Sequence, residues 1–273
     1  MSMDKSSFRE AWRKVRKIIR NADVVLEVLE ARNPMGTRSL KLEKLVSRLG
    51  KPLILVINKA DLVPREIMDE WKNVFEKEYP TIYISARKRL GTTFLWKTIR
   101  KVVPGNKPVV KVAVVGYPNV GKSSIINILK GRHSASTSPK AGYTKHVQEY
   151  RASRWLKVID TPGVIPLRES EVTLVLRFAL NPEDLSDPVG TACKLIKLGL
   201  KLHPEVFKET YKVQSKTPEE ILREIALKRG LLLKGGKLNI EEAARIVLRD
   251  WINGKLVFYI PPPRSKQSFS NTL

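Results

Sequence analysis

The octapeptide Gly116-Tyr117-Pro118-Asn119-Val120-Gly121-Lys122-Ser123 constrains this chain most, because of what lies on either side of it. Before it runs Val112-Ala113-Val114-Val115, apolar and β-branched, and after it Ile125, Ile126, Ile128 and Leu129 recur at helical spacing. A strand that ends in a glycine-bracketed turn and enters a helix is a phosphate cradle: backbone N–H groups curl around the oxygens, and the helix N-terminus faces the anion. In such a loop the N–H groups of Asn119, Val120, Gly121 and Lys122, with Ser124 close behind, surround the phosphates. Lys122 reaches the terminal phosphates and the Ser123 hydroxyl is positioned for magnesium. More than a hundred residues precede this loop. A domain of the usual nucleotide-binding order would begin near it, so some of that domain must come first.

The preceding segment supplies it. Val24-Val25-Leu26-Glu27-Val28-Leu29 reads as a strand followed by Glu30-Ala31-Arg32-Asn33-Pro34, and Leu53-Ile54-Leu55-Val56-Ile57 is a second strand running into Asn58-Lys59-Ala60-Asp61. Ligands of open parallel sheets gather at the carboxyl ends of strands, and this tetrapeptide stands at such an end. A carboxylate at Asp61 can accept from both N1–H and the exocyclic amine of guanine, a donor pair that adenine lacks. Asp61 therefore selects GTP over ATP, Lys59 lays its stem along the base, and Asn58 ties this loop to the phosphate loop. Ile82-Tyr83-Ile84 is a short strand ending in Ser85-Ala86-Arg87, a weaker signal whose expected part is to offer the Ala86 N–H to the guanine carbonyl. Helices are expected over 4–20, 40–49, 65–77 and 92–102, and after the phosphate loop to about Lys130. Strands near 146–151 and 155–159 lead to Asp160-Thr161-Pro162-Gly163, where the carboxylate suits a magnesium held through water and the Gly163 N–H the terminal phosphate. Thr144 is the candidate second protein ligand to magnesium, among several hydroxyl residues of one polar loop.

From about 166 only helical patterns remain. Asp187-Pro188, Thr217-Pro218-Glu219-Glu220 and Asn239-Ile240-Glu241-Glu242 are helix starts, with Gly230 and Gly254 as stops. The expected organisation is an α/β nucleotide domain over 1–165, mostly parallel sheet flanked by helices, then a smaller all-helical domain over 166–260 and a loosely held tail over 261–273. Hydrophobic residues at 42% and charged residues at 29% describe an ordinary soluble protein. No apolar run is long enough to span a bilayer, so no membrane association is expected. The stretch Met1 to Arg20 lacks a signal-peptide pattern, and the one cysteine, Cys193, fits a reducing compartment; together these predict a cytoplasmic location.

The net charge is +24, and residues 1–165 hold 33 Lys and Arg against 14 Asp and Glu. One phosphate pocket does not account for that excess, and nucleic acid is the commonest cytoplasmic polyanion. A basic helix at 4–20 either docks with a wet basic face or touches RNA directly.

The motif order, with the base-selecting tetrapeptide before the phosphate loop and the magnesium and switch motifs after it, resembles the circularly permuted GTPases of the YlqF/RbgA type, in the archaeal branch related to nucleolar GTPases. The resemblance covers Asp23 to Gly163, and Ile246 to Pro263 is similar to the family's C-terminal segment. It implies a permuted Ras-like P-loop domain, binding of GTP and GDP with Mg2+, and GTP hydrolysis coupled to large ribosomal subunit assembly through rRNA contact. A protein that is monomeric when free is expected. Val164 and Ile165 stand where Ras-like proteins carry a water-orienting glutamine, so the resemblance implies slow intrinsic turnover. Asn119 resembles the asparagine through which related GTPases use K+ near the transition state. With Lys122, Thr144 and Gly163 it completes the expected catalytic set; His146 near the switch is otherwise a solvated histidine. Competing readings are a protein-interaction switch without RNA contact and an ATP-dependent enzyme on the same loop.

Overall fold

The computed structural model describes residues 5–105, 107–131, 148–160 and 169–263. By their contacts these fall into two units. One comprises the described residues of Asp4–Gly116, Val120–Ile165 and Ile260–Leu273; the other comprises those of Pro166–Tyr259 together with Tyr117–Asn119.

The first unit is built on six strands: β1 (Val24–Glu30), β2 (Leu53–Asn58), β3 (Thr81–Tyr83), β4 (Val110–Gly116), β5 (Gln148–Arg151) and β6 (Leu156–Asp160). Their order is β3-β2-β1-β4-β6-β5, with every pair parallel except β5 with β6. All residues of β1 and β2 are buried. That explains their nearly continuous apolar sequences, since a parallel sheet flanked by helices is covered on both faces. The helices are α1 (Lys5–Asn21), α2 (Leu40–Arg48), α3 (Arg65–Phe75), α4 (Thr92–Val102) and α5 (Lys122–Lys130). On α1, Val15, Ile18 and Ile19 are buried while Arg9, Arg13, Arg16 and Arg20 stay exposed.

Strand order decides where a ligand can sit. The chain moves outward from β1 through β2 to β3, then returns to lay β4 on the other flank of β1. The reversal leaves a crevice at the carboxyl ends of β1 and β4, the place where open parallel sheets hold ligands. Register brings Glu30 beside Asn58, Val28 beside Gly116 and Val114 beside Asp160.

A charged cluster lies inside this unit. Glu27, fully buried in β1, accepts the Ser39 N–H at 2.7 Å. Ser39 in turn caps α2 through Leu42 N–H. Arg38 forks onto Glu43 at 2.5 and 2.8 Å and reaches Glu78 at 2.5 Å, its guanidinium lying over Phe75. Burial, reinforced by the neighbouring Glu43 charge, pushes the Glu27 carboxyl well above the usual carboxylate range.

The second unit is helical: α6 (Glu171–Leu176), α7 (Pro188–Leu202), α8 (Val206–Tyr211), α9 (Pro218–Lys228) and α10 (Ile240–Asn253) enclose Phe178, Leu195, Phe207, Ile221, Val247, Trp251 and Phe258. The three anticipated starts are capped as their sequences imply: Asp187, Thr217 and Asn239 side chains accept from Gly190, Glu220 and Glu242 N–H. Two six-residue helices, α6 and α8, were not anticipated, because under two turns the apolar spacing has no period to show. Of the expected tail, Pro262 is buried, and 264–273 lie outside the described residues. Ile260 N–H donates to the Arg32 carbonyl at 2.8 Å, and the Trp71 indole donates to the Ile260 carbonyl at 3.2 Å.

A group whose folded pKa is raised adds stability at low pH and loses it as pH climbs through the folded value. Glu27→Gln, isosteric with the protonated acid, is expected to lose less melting temperature than the parent protein as pH climbs above the usual carboxylate range. Thermal unfolding along that climb checks this; parallel curves would show that Glu27 does not titrate there.

Candidate nucleotide-binding site

The phosphate loop leaves β4 at Gly116, whose φ of 146° suits glycine, and a Cβ there would stand 2.5 Å from the Val28 carbonyl oxygen. Gly121 (φ 99°) precedes α5, and a Cβ on it would meet Asn58 Nδ2 at 2.1 Å. Gly116 is thus required by backbone crowding, and Gly121 by its positive φ and the Asn58 side chain. Lys122, Ser123 and Ser124 form the first turn of α5, ahead of the first helical bond, Ile125 N–H to Gly121 C=O at 3.1 Å. Their N–H groups and the helix dipole point one way, towards an anion. Ser123 and Ser124 are exposed and Val120 is buried.

The second loop is tied to the first by one side chain. Asn58, buried at the end of β2, donates through Nδ2 to the Val120 carbonyl at 2.9 Å and accepts the Ala86 N–H on Oδ1 at 3.2 Å. It therefore joins three segments: the 58–61 turn, the phosphate loop and the 85–87 turn. The Ala86 N–H, expected to face a base carbonyl, makes this longer bond instead. Ser85 donates from Oγ to Asp61 Oδ1 at 2.6 Å and so orients the carboxylate, while Ser85 and Leu90 exchange backbone bonds that close the turn. Arg87 is exposed on that turn.

Lys59 adopts a left-handed backbone, φ 63°, which costs a non-glycine residue about 1–2 kcal/mol. Its Nζ stands 3.6 Å from Glu30 Oε1. Burial lowers the Lys59 pKa, and Glu30 opposes that shift. The buried Glu30 carboxylate also accepts from the Arg32 N–H and Nε, both at 2.8 Å. This Glu30–Arg32–Lys59 set had no place in the sequence reading. The clue available there was a glutamate ending an apolar strand, two residues before an arginine.

Asp160 ends β6 beside β4, with its backbone paired to Val114; its side chain is outside the described residues, as are Thr144, Gly163 and His146. Asn119 (φ 58°) groups with the helical unit, where its Nδ2 donates to the Phe178 carbonyl at 2.8 Å. Among the described residues no group of three or more His, Cys, Asp or Glu is placed to hold a metal. Nor is any helix among them long and apolar enough to cross a membrane.

Comparison with known proteins gives this geometry a setting. Residues 4–169 match the RsgA GTPase family, and residues 111–228 match the 50S ribosome-binding GTPase family. An uncharacterised GTP-binding protein of Methanocaldococcus jannaschii is 41% identical over 90% of this chain and 65% of its own length. The guanine nucleotide-binding protein-like NSN1 of Arabidopsis thaliana is 34% identical over 96% of this chain and 50% of its own. The chain thus spans about half to two thirds of these relatives. The GNP-bound crystal structure of YlqF from T. maritima superposes with a TM-score of 0.66 at 27% identity, covering 91% of this chain and 95% of that one.

Asn58→Asp keeps an acceptor for Ala86 but removes the donor to Val120 and sets a carboxylate against a carbonyl. Denaturant unfolding should show a loss of about 1–3 kcal/mol, with weaker guanine nucleotide binding; unchanged stability would mean the tie carries no load.

Proposed function

The chain belongs to the RsgA GTPase family, in the circularly permuted order of YlqF, and on that premise we propose that it binds GTP, hydrolyses it to GDP and phosphate, and acts as a switch in large ribosomal subunit assembly through rRNA contact. The observation that carries the nucleotide part is the Asn58 tie, which holds the 58–61 turn and the phosphate loop in one site although 62 residues separate Asn58 from Val120. The ribosomal part is supported by the family matches and by the positive charge concentrated in residues 1–165.

In this reading Asp61, oriented by Ser85, accepts the paired donors of guanine, and Lys59 covers the base. The Ala86 N–H exchanges its 3.2 Å bond to Asn58 for the guanine carbonyl. N–H groups of Asn119, Val120, Gly121 and Lys122 cradle the phosphates, with Lys122 neutralising their terminal charge and Ser124 closing the first turn of the helix. The hydroxyl of Ser123, in the first turn of α5, and the carboxylate of Asp160, at the end of β6, are hard oxygen donors, a set that suits magnesium, with Thr144 as the second protein ligand. When bound, magnesium would offset the charge of the phosphate oxygens. The Gly163 N–H faces the terminal phosphate. Val164 and Ile165 cannot orient water, so intrinsic turnover is slow and depends on another group: Asn119 holding K+ near the developing charge, and the ribosomal subunit. The protein works in the cytoplasm, as a monomer when free, and the helical domain over 166–260 is the ribosome-facing part.

Asp61→Asn replaces an acceptor with a donor and should weaken GDP binding about tenfold or more while strengthening xanthosine diphosphate. Titration of both nucleotides tests it, and unchanged preference would remove Asp61 from base selection. Hydrolysis should run faster in K+ than in Na+, with and without ribosomal subunits; equal rates in both settings would rule out the monovalent cation.

A further inference from the structure

The described residues hold a second strongly cationic feature that the nucleotide site does not use. Helices α1 and α2 flank a cleft of about 580 Å3. Arg9, Arg13 and Arg16 line it from α1, and Lys41, Lys44 and Arg48 from α2; Trp12 and Leu45 line it too, and among the described residues no acidic side chain does. The spacings, i, i+4, i+7 on one helix and i, i+3, i+7 on the other, set each row of cations along one helix face. All six are exposed.

Carboxylates on the same helices are occupied away from the cleft. Glu10 pairs with Lys14 at 3.0 Å, and Glu43 is buried against Arg38 at 2.5 Å. Between the two rows lies an aromatic face: Lys41 Nζ sits 4.4 Å from the centre of the Trp12 ring. Among the described residues the buried Trp12 indole Nε1 has no hydrogen-bond partner.

We propose that the α1–α2 cleft is a binding site for a single-stranded RNA segment, with the two cation rows tracking its phosphates and Trp12 stacking a base. This rests on the rRNA reading above and adds to the helical domain a second RNA-contacting surface, on the first unit. Cation rows flanking an aromatic are the arrangement that sequence-tolerant single-strand binding uses. A cleft of this volume takes a drug-sized ligand, about one or two nucleotides. An acidic peptide would satisfy the charges but offers nothing planar for Trp12, and a lipid surface would call for apolar residues where these cations stand.

The test uses the full chain with a non-hydrolysable GTP analogue and a fluorescein-labelled oligouridylate of about ten nucleotides. Anisotropy is followed from about 0.05 to about 0.2 M KCl. The variant R9Q/R13Q/R16Q, with glutamine keeping helix propensity, should bind at least about tenfold more weakly at low salt. Its log–log salt slope should be shallower by about 2, from three lost phosphate contacts. Trp12→Ala should weaken binding about tenfold without changing the slope, and Trp12→Phe should restore most of it. Unaltered guanine nucleotide affinity in each variant shows that the fold is kept. A steep parental slope that the triple variant leaves unchanged would place RNA elsewhere and overturn the cleft alone. A parent protein that binds no oligouridylate at low salt would overturn the rRNA reading as well. Displacement by oligoglutamate as effective as by unlabelled oligouridylate of equal charge would overturn the assignment to RNA.

Discussion

One amide side chain holds the nucleotide site together. Asn58 ends a buried strand, donates to the Val120 carbonyl and accepts from Ala86 N–H, so the positions of the phosphate loop, the base turn and the 85–87 turn are set by a single group. Its burial makes those bonds costly to lose, since an unpaired amide would be left without water. The same crowding dictates Gly121, where any Cβ would run into Asn58 Nδ2.

The tie matters more in a permuted chain. The segments it joins belong to strands on opposite sides of β1, and β1 itself sits between the flank that comes earlier in the chain, β2 and β3, and the later one, β4, β6 and β5. The sheet aligns the carboxyl ends, but alignment of strands does not fix the loops beyond them. Backbone strain at Lys59, offset by its approach to Glu30, and the Ser85 bond to Asp61 complete the arrangement on the base side. The RsgA-family match and the YlqF superposition fit this order of elements.

Much of this was legible before the structure because it depends on local pattern. The continuous apolar runs of β1 and β2, the glycines of the phosphate loop and the caps at Asp187, Thr217 and Asn239 each declare themselves within a few residues. The expected Asn58 contact with the phosphate loop was read from motif chemistry, and the bond to Val120 has that form. What stayed hidden depends on partners far apart in the chain. Arg38 and Glu78 are forty residues apart, the buried Glu27 reads as a break in an apolar strand, and the α1–α2 cleft exists only once two separate basic helices are laid side by side. The six-residue helices α6 and α8 were too short for their periodicity to register.

The central claim is that this site is shaped for guanine rather than for nucleotides in general. Calorimetric titration of GDP and of ADP into the parent protein under one magnesium-containing buffer tests it most directly. The account predicts one-to-one binding of GDP and no detectable heat for ADP at the same concentrations. Equal affinity for the two would contradict it.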